Sequence, residues 1–226
     1  MENVNPPHHD KSFVAHCDTI SSIIFNPNQY LLIFYFRKQL ITGSLDNNLL
    51  LWNLVNKYEK PIKLQGHTKG VNDVSISPNG LLIASASSDE TIRIWDNTPN
   101  NTDKFQVLKH NKAPMRSVDF SCDNKMVVTA CDDQTVKLIS LHDKKMKANL
   151  LSHTNWLKCV RFSSDSKLIV SCGDDRTVKM WDTDSARLVY TIQNQHHGVV
   201  NSVRFHPDDS CIATGCFDKK IRVNYN

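Results

Sequence analysis

One aspartate recurs along this chain at a nearly constant interval, and the interval decides most of what the chain can fold into. Asp46, Asp89, Asp133, Asp175 and Asp218 stand 43, 44, 42 and 43 residues apart, each just ahead of an aliphatic or β-branched run. A second ruler agrees: His67, His110, His153 and His196 advance by 43 at every step. A repeat of this length is one supersecondary unit that buries its apolar face against copies of itself. The first unit is longer. His16 stands 51 residues before His67, and the eight extra residues fall between His16 and Asp46. Aligning NPNQ…KQLITGS with SPNGLLIASAS places the excess at about residues 30–37, YLLIFYFR.

Within each unit the hydrophobic period is two, the period of a strand. A first strand is expected at 71–77, 118–121, 160–163 and 203–206. A turn such as SPNG or HPDD follows, where Asn, Asp, Pro and Gly supply the required conformations. The second strand reads LLIASAS, MVVTAC, LIVSCG or CIATGC, and the third TIRIWD, TVKLIS, TVKMWD or KIRVNY. A fourth, more polar strand precedes each histidine, as at 104–108 and 188–193. Helical periodicity is absent, so the fold class is all-β. The units run at about 16–57, 67–103, 110–145, 153–187 and 196–226, with residues 1–10 as a flexible tail.

The pattern His…Ser/Thr-x-x-x-Asp…Trp resembles the WD40 signature, and the resemblance covers nearly all of residues 11–226. It implies a β-propeller with one four-stranded blade per unit. It also implies a buried tetrad, in which the histidine links the aspartate to a hydroxyl that bonds the indole N–H. The matching residues are His16, Thr42, Asp46 and Trp52 in blade one; His67, Ser85, Asp89 and Trp95 in blade two; and His153, Ser171, Asp175 and Trp181 in blade four. Two blades are partial. Blade three has His110, Thr129 and Asp133 with Ile139 in place of Trp; blade five has His196, Thr214 and Asp218 with Asn224. Ser, His and Asp together also suggest a hydrolase triad, but a catalytic set occurs once, in a cleft, and this one recurs at fixed spacing. The chain is expected not to be an enzyme, with no cofactor and no metal. The dipeptide His8–His9 with Asp10 in the tail is set aside as a metal site.

Five units supply five sets of the first three strands. Residues 11–15 read as a fourth strand with no blade of its own, which in WD40 rings completes the last blade. WD40 rings mostly have seven blades. Five can close a tighter ring, form an open arc, or be a shortened product of a seven-blade chain, and the sequence leaves these open.

The net charge of +4 is spread along the chain, which argues against a nucleic-acid surface. The longest apolar run, 30–36, is too short to span a bilayer, and the N-terminus lacks the features of a secretory signal. Seven cysteines without a C-x-x-C pair read as reduced thiols of an intracellular protein. Trp156, in the loop entering a first strand, is the best candidate contact for a partner protein. By analogy with WD40 top surfaces, Met115, Arg116, Lys158, Asp132 and Asp174 are expected near the same face. Arg93, Lys137, Lys179 and Arg222, each four residues after its aspartate, read as scaffold rather than as a basic ring for tubulin or nucleic acid. Lys144, Lys145 and Lys147 read as a solvated turn.

Some stretches resemble more than the general repeat. MRSVDFSCDNKMVVTACDDQTVKL, LLSHTNWLKCVRFSSDSKLIVSCGDDRTVKMWD and KQLITGSLDNNLLLWNL are similar to the centriolar WD40 proteins first catalogued as proteome-of-centriole components. That resemblance implies a scaffold for centriole and basal-body assembly, and so for cilium formation. It places the chain in the cytoplasm and cytoskeleton, at the centrosome, centriole or basal body. Its partners would be centriolar proteins and tubulin, with no small-molecule substrate, nucleic acid or membrane. The family's coiled-coil tail is absent from this sequence. The alternative is an adaptor in another complex, such as a ubiquitin-ligase substrate receptor or an RNA-processing assembly.

Overall fold

The computed structural model describes residues 15–27, 38–54, 60–98, 104–109 and 112–225, and among them every regular element is a strand. Sheet one contains β1 (Ile20–Phe25), β2 (Gln39–Ser44), β3 (Leu49–Asn53) and β4 (Ile62–Leu64). Sheet two contains β5 (Val71–Ile76), β6 (Leu82–Ser87), β7 (Ile92–Asp96) and β8 (Phe105–Leu108). Sheet three contains β9 (Met115–Phe120), β10 (Met126–Cys131), β11 (Thr135–Ser140) and β12 (Met146–Leu151). Sheet four contains β13 (Leu157–Phe162), β14 (Leu168–Gly173), β15 (Val178–Asp182) and β16 (Leu188–Ile192). Sheet five has β17 (Val200–Phe205), β18 (Cys211–Cys216) and β19 (Ile221–Tyr225). All neighbours are antiparallel meanders in chain order.

The fold is therefore the all-β, bladed architecture expected. β5 begins at Val71 as expected, but the first strands of the next three sheets begin earlier than the alternation suggests: β9 at Met115, β13 at Leu157 and β17 at Val200. A bulge lies near the first residues of β1, β5, β13 and β17 and opposite Cys131 in sheet three. A bulge sets two residues against one, which breaks the period of two and hides the strand's first half from a pattern search. It also sends one residue inward and the next toward the rim.

The hydrophobic core lies between the sheets rather than within any of them. Val71, Val74, Ile83 and Trp95 of sheet two pack with Ile41, Leu49, Leu51 and Leu64 of sheet one. Sheets two and three share Ile92, Ile94, Leu108, Met115, Val118 and Ile139. Sheets three and four share a third cluster around Val136, Leu157 and Trp181, and sheets four and five a fourth around Val178, Val200 and Ile212. Each sheet is thus stable only as a neighbour of the next. The packing between sheets runs from β1 to β5, β9, β13 and β17 in turn. The first and last sheets show apolar side chains: Ile23 and Phe25 on β1, and Ile221, Val223 and Tyr225 on β19.

Three expectations fall on residues that are not described: the tail 1–10, the closing strand at 11–15 (all but Ala15) and the insert 30–37. The strands flanking the insert are paired to its base. Asn26 N–H donates to the Gln39 carbonyl at 3.0 Å, and Asn26 Nδ2 to Gln39 Oε1 at 2.9 Å.

Candidate functional site

The recurring turn shows why an aspartate must stand where it does. The residue after it is left-handed in every blade, although none is glycine: Asn47, Glu90, Gln134, Arg176 and Lys219 have φ of 62–72°. Asp89 holds its turn by accepting the Thr91 N–H at 3.0 Å and the Thr68 N–H at 3.1 Å. Its other duty is the histidine. Trp95 Nε1–H donates to Ser85 Oγ at 2.8 Å, and because the ionised Asp89 can only accept from Nδ1, Ser85 donates to His67 Nε2, at 2.7 Å. His67 then carries its proton on Nδ1 and donates to Asp89 Oδ2 at 2.8 Å. Blade four repeats the chain, with 2.9 Å from Trp181 to Ser171, 2.8 Å to His153 and 2.7 Å on to Asp175. Blade one has 3.1 Å from Trp52 to Thr42, 2.8 Å to His16 and 2.9 Å to Asp46.

Burial works against the charge on Asp89, yet bonds from Thr91 and His67 win and hold it at about 2. Asp175 is held at about 2 in the same way, with His153 the leading partner. Ser85 and Ser171 are wholly buried and already committed as acceptors, so no substrate can reach either hydroxyl. The arrangement pins a turn and a strand; it does not present a nucleophile.

The partial blades differ in kind. His110 lies outside the described residues. Lys137 Nζ donates to Asp133 at 2.5 Å and to Thr135 at 2.9 Å, and Thr129 Oγ1, fully buried, has no partner among the described residues. Ile139 joins the core between sheets two and three. In blade five Asp218 is bonded to Arg222, at 2.8 Å, and not to His196. The related cations Arg93, Lys137 and Lys179 are buried among the strands.

The expected partner surface is brought together only in part. Met115 is a correction: it is 0% exposed, because the bulge turns it into the core between sheets two and three. Its neighbour Arg116 faces the rim and donates twice to Asp132, at 2.8 and 2.6 Å. Lys158 occupies the same place one blade on and pairs with Asp174 at 3.2 Å. Trp156 is 50% exposed, with the Lys158 ammonium 5.8 Å from its ring centroid. Its carbonyl accepts the Asp174 N–H at 2.8 Å, which fixes the loop that carries the ring. The charges are thus matched within the chain, and the indole is the group left to contact a partner.

A second network was not foreseen. Asp73, on β5, accepts from Ser22 of blade one, Ser117 of blade three and Arg161 of blade four, at 3.1, 2.8 and 3.0 Å. Asp119 accepts from Ser75 at 3.1 Å and from the Phe162 N–H at 3.0 Å, and burial pushes its carboxyl up. These residues tie the inner strands of four blades together. The signal for them was a charge at an inward position of a strand, as in VNDVSIS.

A family model described as WD domain, G-beta repeat, matches residues 8–53, 59–96, 103–140, 144–182 and 186–223. The chain is 27% identical over 188 residues to WD repeat-containing protein SL1-17 of Schistosoma mansoni, covering 83% of this chain and 61% of that protein. It is 26% identical over 218 residues to Nuclear distribution protein PAC1-2 of Uncinocarpus reesii, covering 87% and 47%. With Small ribosomal subunit protein RACK1 of Drosophila melanogaster it shares 34% over 254 residues, covering 90% and 77%. The chain therefore spans less than two thirds of the first two relatives.

Proposed function

We propose, from the premise that this chain belongs to the WD40 repeat family, that it is a non-catalytic scaffold whose rim docks other proteins through Trp156. The observation that carries this reading is a half-exposed indole on a loop fixed to sheet four, beside charges already paired within the chain. Aromatic side chains held rigidly at a surface are favoured anchors, since little conformational entropy is lost when a partner covers them. Arg116, Lys158, Asp132 and Asp174 form the polar rim around it. The buried, committed serines of the tetrads support a scaffold over an enzyme.

The assembly we favour is the centriole or basal body, in the cytoplasm, with centriolar proteins and tubulin as partners. It rests on the likeness of the blade-one, blade-three and blade-four stretches to centriolar WD40 proteins. The second reading is an adaptor in another complex, and it is favoured by the relatives, which are named for nuclear distribution and the ribosome. Imaging of the tagged chain beside a centriole marker, with affinity purification, separates the two. Focal co-localisation and centriolar partners, both lost in Trp156→Ala with folding intact, are the expected result. Partners from a different complex, lost in the same variant, would keep the docking surface and move the assembly. Partners retained in Trp156→Ala would overturn the surface.

A further inference from the structure

His196, Cys216 and Asp218 stand together in sheet five, with one ligating atom from each within 4.8 Å of the other two. The histidine is turned round electronically relative to blades two and four. There Nδ1 carries the proton and points it at the aspartate. In blade five the indole is replaced by Asn224, whose Nδ2 is buried without a partner among the described residues. Arg222 donates to His196 Nδ1 at 3.1 Å, so that nitrogen presents a lone pair and Nε2 faces Thr214 Oγ1 at 3.3 Å. The same guanidinium donates to both Asp218 oxygens, at 3.2 and 2.8 Å. Cys216 fills the place of Ser87 in blade two: its sulfur accepts the Asp218 N–H at 3.4 Å, as Ser87 Oγ accepts the Asp89 N–H at 3.1 Å. An imidazole lone pair, a sulfur and a carboxylate are gathered around one position, and the chain's own cation, Arg222, lies beside it.

We propose that this cluster is a zinc-class metal site in which Arg222 exchanges with the ion, ligated by His196 Nδ1, Cys216 Sγ and an Asp218 oxygen. One nitrogen, one sulfur and one oxygen, with solvent as a fourth ligand, is a donor set suited to such an ion. Atoms bound to one tetrahedral zinc stand about 3.3–3.6 Å apart, so each ligand draws in by roughly 1 Å. His196 is buried while Cys216 and Asp218 are half-buried, so the ion enters from the solvent side. On binding, the Cys216 S–H proton passes to solvent, Arg222 swings outward, and Asp218 and His196 ligate in the forms they already have.

Among the described residues the other blades do not offer this set. Ser44, Ser87 and Gly173 stand where Cys216 does, and their histidines already donate through Nδ1. Blade three repeats the cysteine and its bond to a carbonyl, Cys131 to Ala113 at 3.4 Å as Cys216 to Gly198 at 3.3 Å, but Cys131 is wholly buried, which pushes its thiol up to about 12.

Cobalt(II) titrated into the full chain, metal-free and reduced, tests the site. We expect a near-ultraviolet thiolate-to-cobalt band that saturates at one equivalent and is lost when zinc displaces the cobalt. Cys216→Ser, the residue blade two already has there, removes the band. Arg222→Gln takes away a competing positive charge and tightens binding by roughly tenfold. Absence of the band in both the natural chain and a natively folded Arg222→Gln overturns the proposal. A band that survives Cys216→Ser overturns it as well, since another cysteine is then the ligand.

Discussion

Ser85→Ala and Thr129→Val should move stability in opposite directions, although both remove one buried hydroxyl from the same position of adjacent blades. Ser85 is an acceptor for Trp95 Nε1–H at 2.8 Å and a donor to His67 Nε2 at 2.7 Å. Alanine strands both groups, and both residues are buried. An orphaned buried donor or acceptor costs about 1–3 kcal/mol. The pair, with some relaxation, gives a loss of roughly 2–4 kcal/mol. Thr129 is equally buried, but its hydroxyl is without a partner among the described residues and Ile139 stands where the indole would be. Valine keeps the shape and removes an uncompensated polar group, so the variant should gain about 0.5–2 kcal/mol. Urea unfolding followed by circular dichroism measures both, with the slope checked because stacked repeats can lose cooperativity. In a chain of this size each kcal/mol moves the melting temperature by about 2–4 °C. A Ser85→Ala variant as stable as the parent, or a Thr129→Val variant destabilised to the same degree, would refute the reasoning.

Acid should unfold the chain in two stages. His67 and His196 are held below 6.5, chiefly by burial, so their contribution is present above that pH and starts to fall below it. Asp89 and Asp175, held at about 2, contribute fully above about pH 4 and lose it as pH drops toward 2, on the order of 2 kcal/mol each after solvent screening. Urea midpoints measured from pH 7 to 2 should therefore steepen below about pH 4, and a flat profile there would contradict the paired carboxylates. Asp73→Ala leaves the Arg161 guanidinium buried with its main counter-ion gone, and should cost about 3–5 kcal/mol. Pairing it with Arg161→Met should recover much of that loss, which a double-mutant cycle reads directly.

The period of 43 with the strand pattern was enough to give five repeated units of strands, because stacking units of one kind leave little choice of arrangement. What the pattern concealed lies where one residue serves two blades. Met115 is expected at the surface by analogy with WD40 top surfaces, but the bulge turns it into the core and leaves Arg116 to face outward. Arg161 reads as a polar residue of β13, yet its guanidinium ends on Asp73, 88 positions away. Period-two alternation describes one strand on one face. It carries no information about a long side chain that crosses the inner ends of neighbouring sheets.

The two incomplete tetrads follow from the same geometry. Each blade is held chiefly by the apolar clusters it shares with its neighbours, and Ile139 adds to one of these clusters as the indole of Trp95 does to another. The tetrad therefore adds rigidity to a turn that packing already places, and its positions can change chemistry without the blade being lost. Blade three has exchanged an indole for packing and an ion pair between Lys137 and Asp133. Blade five has gone further: with Asn224 in place of the indole, the order of donors is reversed and His196 turns a lone pair toward a cation. A buried hydrogen-bond chain has a direction, set here by whether a carboxylate or a cation faces the histidine Nδ1. In blade five Arg222, not the aspartate, faces Nδ1, and that exchange is what the proposed cation site rests on.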